Sequence, residues 1–137
     1  MNTDIERLGA QFIVNEDMEA ESVQRLVERM LNFCKVDGKG FVMIKSKKMK
    51  ITDKLMLVLS ARYLANRIQV LTGKEASISE NIEAKELGRM IGEDHATVLA
   101  RLKDLKDKNK AIALGKGVYK VAPHEIDSFL GSLETVS

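Results

Sequence analysis

The spacing of apolar residues along the chain predicts a series of short helices. Near the start, four apolar residues recur at helical spacing and lie on one face: Ile5, Leu8, Phe12 and Ile13. A second stripe begins at Val23 and predicts a helix from about Glu19 to Phe33. Cys34 lies at the end of this stripe, so we expect it to be a small core residue rather than a reactive thiol.

The next part of the chain is predicted to form a strand and a long buried helix. Phe41–Ile44 is a short apolar run that follows a glycine-rich turn, which is typical of a strand. The helix from Thr52 to about Thr72 begins apolar on nearly every side, so we expect it to be the central core helix. Thr52 and Asp53 are expected to cap its start, and Gly73 is expected to end it.

Two short helices and a hairpin are predicted in the second half. The inward face of the first helix carries Ala84, Leu87, Met90 and Ile91. Gly92 ends this helix, and Asp94 caps the next one. The second helix has an apolar seam of Val98, Leu102 and Leu105.

The hairpin is predicted by two short apolar-rich runs around a glycine turn. The runs are Ala111–Leu114 and Val118–Val121, and Gly115-Lys116-Gly117 lies between them. Ser77–Ile82 is expected to add a short first strand. Pro123 is expected to open a last helix, because its fixed φ suits a first helical turn.

This ordered set resembles the winged helix-turn-helix superfamily over about residues 50–122. The resemblance is carried by alanine-x-x-leucine, an apolar-glycine pair, a short turn and threonine-valine with leucines at the helix repeat: Ala84, Leu87, Ile91, Gly92, Thr97, Val98, Leu102 and Leu105. It implies an α+β, mostly helical chain. Residues 50–137 would form a winged helix-turn-helix domain with a C-terminal helix. Residues 1–49 would be an N-terminal extension of helices plus a strand or hairpin, for packing or dimerisation.

The resemblance implies binding to double-stranded DNA, and with it a transcriptional regulator. In the superfamily the second helix of the motif enters the major groove and the hairpin contacts the backbone or the minor groove. Carried over, the residues facing base edges are Ala96, Leu99, Ala100 and Lys103, and those facing phosphates are His95, Lys106 and Lys116. Lys110 is expected to add to the affinity for phosphate.

The outward face of the second helix departs from that pattern. Opposite its apolar seam lie Ala96, Ala100, Lys103, Asp104 and Asp107. Alanine offers only methyl contacts, and no Arg, Asn or Gln is present to make a two-pronged base contact. Arg101 is expected nearer the core seam. The helix should therefore position the protein on the DNA backbone more than recognise a base sequence.

A second function competes with DNA binding. A winged helix also serves as a protein-binding module, and here Leu99 and the neighbouring alanines would form the contact surface. Fold alone does not decide between the two functions. RNA is a third candidate ligand.

Charge and composition add further expectations. The formal net charge is +2, but lysines concentrate between Lys45 and Lys54 and again after Arg101, which is typical of a nucleic-acid face. For residues 45–50 alone, a solvated lysine surface is the favoured interpretation. Apolar stripes at residues 5–13, 23–34 and 126–133 exceed what a small winged core needs, so we expect a homodimer. No signal peptide or membrane-spanning stretch is visible, so a cytoplasmic protein is expected.

Enzymatic activity is not expected. None of the Gly-Lys pairs completes the phosphate-binding motif G-x-x-x-x-G-K-[ST], and neither His95 nor His124 accompanies a nucleophile. A single cysteine with two histidines makes a zinc cluster improbable, so we expect no metal and no cofactor.

Overall fold

The structure of the protein, a computed structural model, describes residues 3–12 and 17–136. The chain is α+β and mostly helical. In order, its elements are α1 (Thr3–Phe12), α2 (Ala20–Met30), β1 (Cys34–Val36), β2 (Val42–Ile44), α3 (Ile51–Leu71), β3 (Ile82–Glu83), α4 (Ala84–Ile91), α5 (His95–Asp107), β4 (Ala111–Ala113), β5 (Val118–Val121), a 3-10 turn (Pro123–Glu125) and α6 (Ile126–Val136). Ile13, which was predicted to extend the first helix, lies outside the described residues.

Helix α3 is the centre of the core, as its sequence predicts. Every residue from Leu55 to Leu64 is buried, so this half of the helix is enclosed on all sides. Helices α2, α4 and α5 and both sheets pack around it. The helix ends at Leu71, and Gly73 follows with a left-handed φ of 72°, which confirms the predicted stop.

The predicted cap of α3 is wrong. The helix begins at Ile51 after Lys50, which makes no side-chain capping bond. Thr52 and Asp53 therefore lie inside the first turn. There the negative charge of Asp53 interacts favourably with the positive end of the helix dipole.

The second helix ends earlier than predicted, and a turn and strand β1 follow it. α2 ends at Met30, and Cys34 begins a strand that pairs antiparallel with β2, in register Cys34 to Ile44. Its side chain points into the core while that of Lys35 points to solvent. The core position of Cys34 is confirmed, and burial raises the pKa of its thiol to about 12.

The second sheet has the strand order β3-β5-β4, with both pairings antiparallel. Its first strand is Ile82–Glu83, shorter than the predicted Ser77–Ile82. The reason lies in side-chain hydrogen bonds around Ile78. The Ile78 amide donates to Gln69 Oε1 at 2.9 Å, and its carbonyl accepts from Asn66 Nδ2 at 2.9 Å. These bonds replace the ladder of a strand partner.

Helix α6 begins after Pro123, as predicted, and Gly131 does not end it. Its apolar side chains are buried: Ile126, Phe129, Leu130 and Leu133. Arg29 of α2 bonds to Asp127 and Glu134 of α6, with 2.8 Å between Arg29 Nη2 and Glu134 Oε1. Helices α2 and α6 therefore pack on each other, and α2 also packs on α3.

Helix α1 differs from the others because its apolar side chains face solvent. Ile5, Leu8 and Phe12 are 66%, 63% and 88% exposed. The stripes of α2 and α6, by contrast, are largely used inside the chain. Less apolar helix surface is therefore free for a dimer interface than the sequence indicated, and the homodimer stays a prediction. Within the described residues, no helix combines the length and apolarity needed to cross a bilayer.

Candidate nucleic-acid interface

The turn between α4 and α5 depends on two glycines. Gly92 has a left-handed φ of 73°, and its amide donates to the Gly88 carbonyl at 2.9 Å. The Glu93 amide donates to the same carbonyl at 3.0 Å. A Cβ at Gly88 would lie 2.9 Å from the Glu93 carbonyl oxygen, closer than side chains tolerate. Glycine at both positions lets α5 begin directly against α4.

The start of α5 is fixed by Asp94, as predicted. Its Oδ1 accepts from the Thr97 amide at 2.8 Å, and its Oδ2 accepts from Thr97 Oγ1 at 3.1 Å. These bonds hold the pKa of Asp94 below its ordinary value, because they favour the charged carboxylate. Behind the cap, the predicted seam of Val98, Leu102 and Leu105 is buried.

The β4–β5 hairpin is joined to both helices. Its turn carries positive φ at Gly115 (91°), Lys116 (50°) and Gly117 (77°). The Ala84 amide at the start of α4 donates to the Gly117 carbonyl at 2.8 Å. The Lys110 amide donates to the Leu105 carbonyl at 2.9 Å. The hairpin, α4 and α5 therefore hold one another in place.

The structure places most of the predicted site residues on one exposed helix face and the hairpin that follows. The exposed ones are His95, Ala96, Ala100, Lys103, Lys106, Lys110 and Lys116. Leu99 is the exception: it is half-buried and packs against the core. The apolar contact surface expected from Leu99 is therefore smaller than the sequence suggested.

Arg101 forms an ion pair along its own helix. Its side chain is 46% exposed, and its Nε lies 3.2 Å from Asp104 Oδ2. This ion pair neutralises one of the two aspartates predicted on the outward face. The expected position of Arg101 near the core seam stays a prediction.

Two basic residues of α4 belong to the same surface and were missed. Lys85 and Arg89 are exposed and lie four positions apart, so they share one helix face. The signal was available, because both lie opposite the inward residues Ala84 and Leu87. The helical analysis applied to α5 would have found them on α4.

The ion pairs of this region leave several exposed lysines unpaired within the described residues. Those that involve α4, α5 or the β4–β5 hairpin join Arg62 to Glu86, Arg101 to Asp104 and Lys120 to Glu80. Among the described residues, no ion pair involves the exposed lysines of α4, α5 and the hairpin: Lys85, Lys103, Lys106, Lys110 and Lys116. They are positioned to bind an external anion.

The described part of the chain holds no group of three His, Cys, Asp or Glu side chains that could hold a metal ion. Comparison with protein-family models, curated proteins and solved structures gives no match for this chain. The function must therefore be argued from the geometry above.

Proposed function

We propose that residues 50–122 form a winged helix-turn-helix that binds double-stranded DNA. The element order α3, β3, α4, α5, β4, β5 supports this assignment, as does a sheet in which β5 lies between β3 and β4. The tight turn at Gly92 and the hairpin turn at residues 115–117 fall at the joints that such a motif needs. With α6, the domain extends to residue 137.

One observation carries the DNA-binding proposal. The outward surface of α4, α5 and the hairpin exposes several cations that form no ion pair within the described residues, on elements that are hydrogen-bonded to one another. A rigid array of free lysines suits the regularly spaced phosphates of a duplex. A transcriptional regulator is the class of protein we infer.

The binding should depend on the backbone more than on base sequence. Ala96 and Ala100 present methyl groups where a base-recognising helix carries Arg, Asn or Gln. Phosphate contacts position a protein on DNA without carrying sequence information directly. We therefore expect similar affinity for unrelated duplexes.

Fluorescence anisotropy with two unrelated labelled duplexes at several salt concentrations tests this proposal. Affinity should fall steeply with salt, by a log–log slope of about 0.9 for each phosphate contact. Lys106→Ala and Lys116→Ala should each reduce that slope by about 1 and weaken both duplexes equally. Lys74→Ala, at an exposed position in the loop after α3, is the matched control and should change neither the affinity nor the salt slope.

An unchanged affinity and salt slope in the Lys106 and Lys116 variants would overturn DNA positioning by this surface. The protein-binding module would then take its place. Its support is a pair of exposed apolar side chains: Ile112 on β4, an edge strand of the sheet, and Leu114 just after it, which are 36% and 45% exposed. In that case DNA binding is undetectable at moderate salt.

A further inference from the structure

Both hairpins carry a lysine between two glycines in the turn: Asp37-Gly38-Lys39-Gly40 between β1 and β2, and Gly115-Lys116-Gly117 between β4 and β5. The backbones of the two turns differ, because residues 37–40 have a positive φ at Gly40 alone (91°), whereas Gly115, Lys116 and Gly117 all have one. Lys39 is exposed, and within the part of the chain that is described it forms no ion pair.

The Asp37 carboxylate accepts hydrogen bonds from backbone amides of its own turn. Asp37 Oδ1 accepts from the Phe41 amide at 3.0 Å and from the Lys39 amide at 2.8 Å. These bonds hold the pKa of Asp37 below its ordinary value. Asp37 is thus engaged with the backbone of the turn. The charge of the exposed Lys39 side chain adds a weaker contribution to the same lowering of the Asp37 pKa.

Buried Arg62 of α3 ties this turn to the start of α4. Its Nη1 donates to the Gly40 carbonyl at 3.0 Å and lies 3.5 Å from Glu86 Oε1. Its Nε donates to the Ser79 carbonyl at 2.7 Å. The turn at residues 37–40 and the first turn of α4 therefore flank the guanidinium group of Arg62, a residue that is 5% exposed.

The other hairpin reaches the same end of α4 through the bond from the Ala84 amide to the Gly117 carbonyl. Two lysine-bearing turns thus adjoin the beginning of one helix, which itself exposes Lys85. Of the nearby acids, Glu86 faces Arg62 and Glu80 faces Lys120. Glu83 and Asp37 are exposed, and Asp37 accepts hydrogen bonds from the amides of its own turn.

We propose that the turn at residues 37–40 is a second wing, whose Lys39 binds a backbone phosphate of the same DNA duplex. The inference rests on the proposed function. The first helix of a helix-turn-helix crosses the DNA backbone. A turn fixed beside the start of α4 therefore meets that backbone next to the phosphates bound by Lys85 and Lys116. This assigns a role in binding to the N-terminal segment.

Lys39→Gln tests the second wing in the anisotropy titration, with Lys35→Gln as its matched control. Lys35 is exposed on β1 of the same hairpin, away from its turn. Lys39→Gln should lower the salt slope by about 1 and weaken unrelated duplexes equally. Combined with Lys116→Gln, the loss of slope should reach about 2. Lys35→Gln should bind like the wild type, and thermal unfolding verifies that each variant is folded.

The outcomes separate this inference from the function on which it rests. If Lys39→Gln binds like Lys35→Gln while Lys116→Gln is weakened, the second wing is wrong and the winged-helix interface stands. If Lys35→Gln weakens binding as much as Lys39→Gln, the loss of affinity reflects the change in net charge, and the second-wing proposal is again wrong. If the wild type binds neither duplex, both proposals fall.

Discussion

The two faces of α5 are under different constraints. Its inward face consists of Val98, Leu102 and Leu105, which are buried against α3 and fix how the helix packs. Its outward face carries alanines and lysines, and within the described residues Lys103 and Lys106 have no ion-pair partner. Packing against the core explains the residues of the inward face. It does not explain those of the outward face, which we propose to bind DNA. The predictions below separate the two.

The largest effect is expected from the inward face. Leu102 is fully buried, so Leu102→Ala removes packing and leaves a cavity. We expect the free energy of unfolding to fall by about 3 kcal/mol, measured by urea denaturation. Lys103→Ala, the exposed neighbour, is the control and should stay within about 0.5 kcal/mol of the wild type. Equal losses in the two variants would contradict the distinction between the faces.

A smaller loss is expected where α4 meets α5. Gly88→Ala places a Cβ 2.9 Å from the Glu93 carbonyl oxygen, a backbone atom that moves only with the turn. We expect the free energy of unfolding to fall by about 2 kcal/mol, because the added side chain forces the backbone to shift. Gly38→Ala, at a site with no atom within 4 Å of the added Cβ, is the control. A Gly88→Ala variant as stable as Gly38→Ala would show that the turn tolerates a side chain.

The smallest effect concerns the cap of α5. Because the folded pKa of Asp94 lies below its ordinary 3.8, its charge stabilises the fold above that pH, and the contribution is lost as pH falls through the lowered pKa. Asp94→Asn keeps a capping acceptor without the charge. The wild type should be slightly more stable than this variant at neutral pH, and the difference should vanish in acid. A urea midpoint difference that is the same at both pH values would refute this role.

Periodicity predicted the elements that bury a continuous face. The core helix α3, the pair α4 and α5, the hairpin and the glycine at residue 92 all follow from apolar spacing and turn chemistry. These features are local, so a single sequence carries them. The outward cations of α5 followed from the same helical geometry.

Features that depend on distant contacts were not predictable in this way. Strand β1 is three residues long and starts at Cys34, which also fits the end of a helical stripe. The segment around Ile78 is not a strand because two side chains of α3 satisfy its backbone. The sequence does not indicate that Arg62 is buried, because the carbonyl groups that accept its hydrogen bonds, those of Gly40 and Ser79, come from separate loops.

Amide chemical-shift mapping by NMR, with a short duplex titrated into isotope-labelled protein, tests the central claim most directly. The account predicts that the shifts cluster on the exposed positions of α4, along α5 from His95 to Lys106, and at the 115–117 turn. Amides of the 37–40 turn should join them if the second wing holds. Shifts confined to α1 or α6, or no shifts with DNA in excess at low salt, would contradict the assignment of DNA binding to this surface.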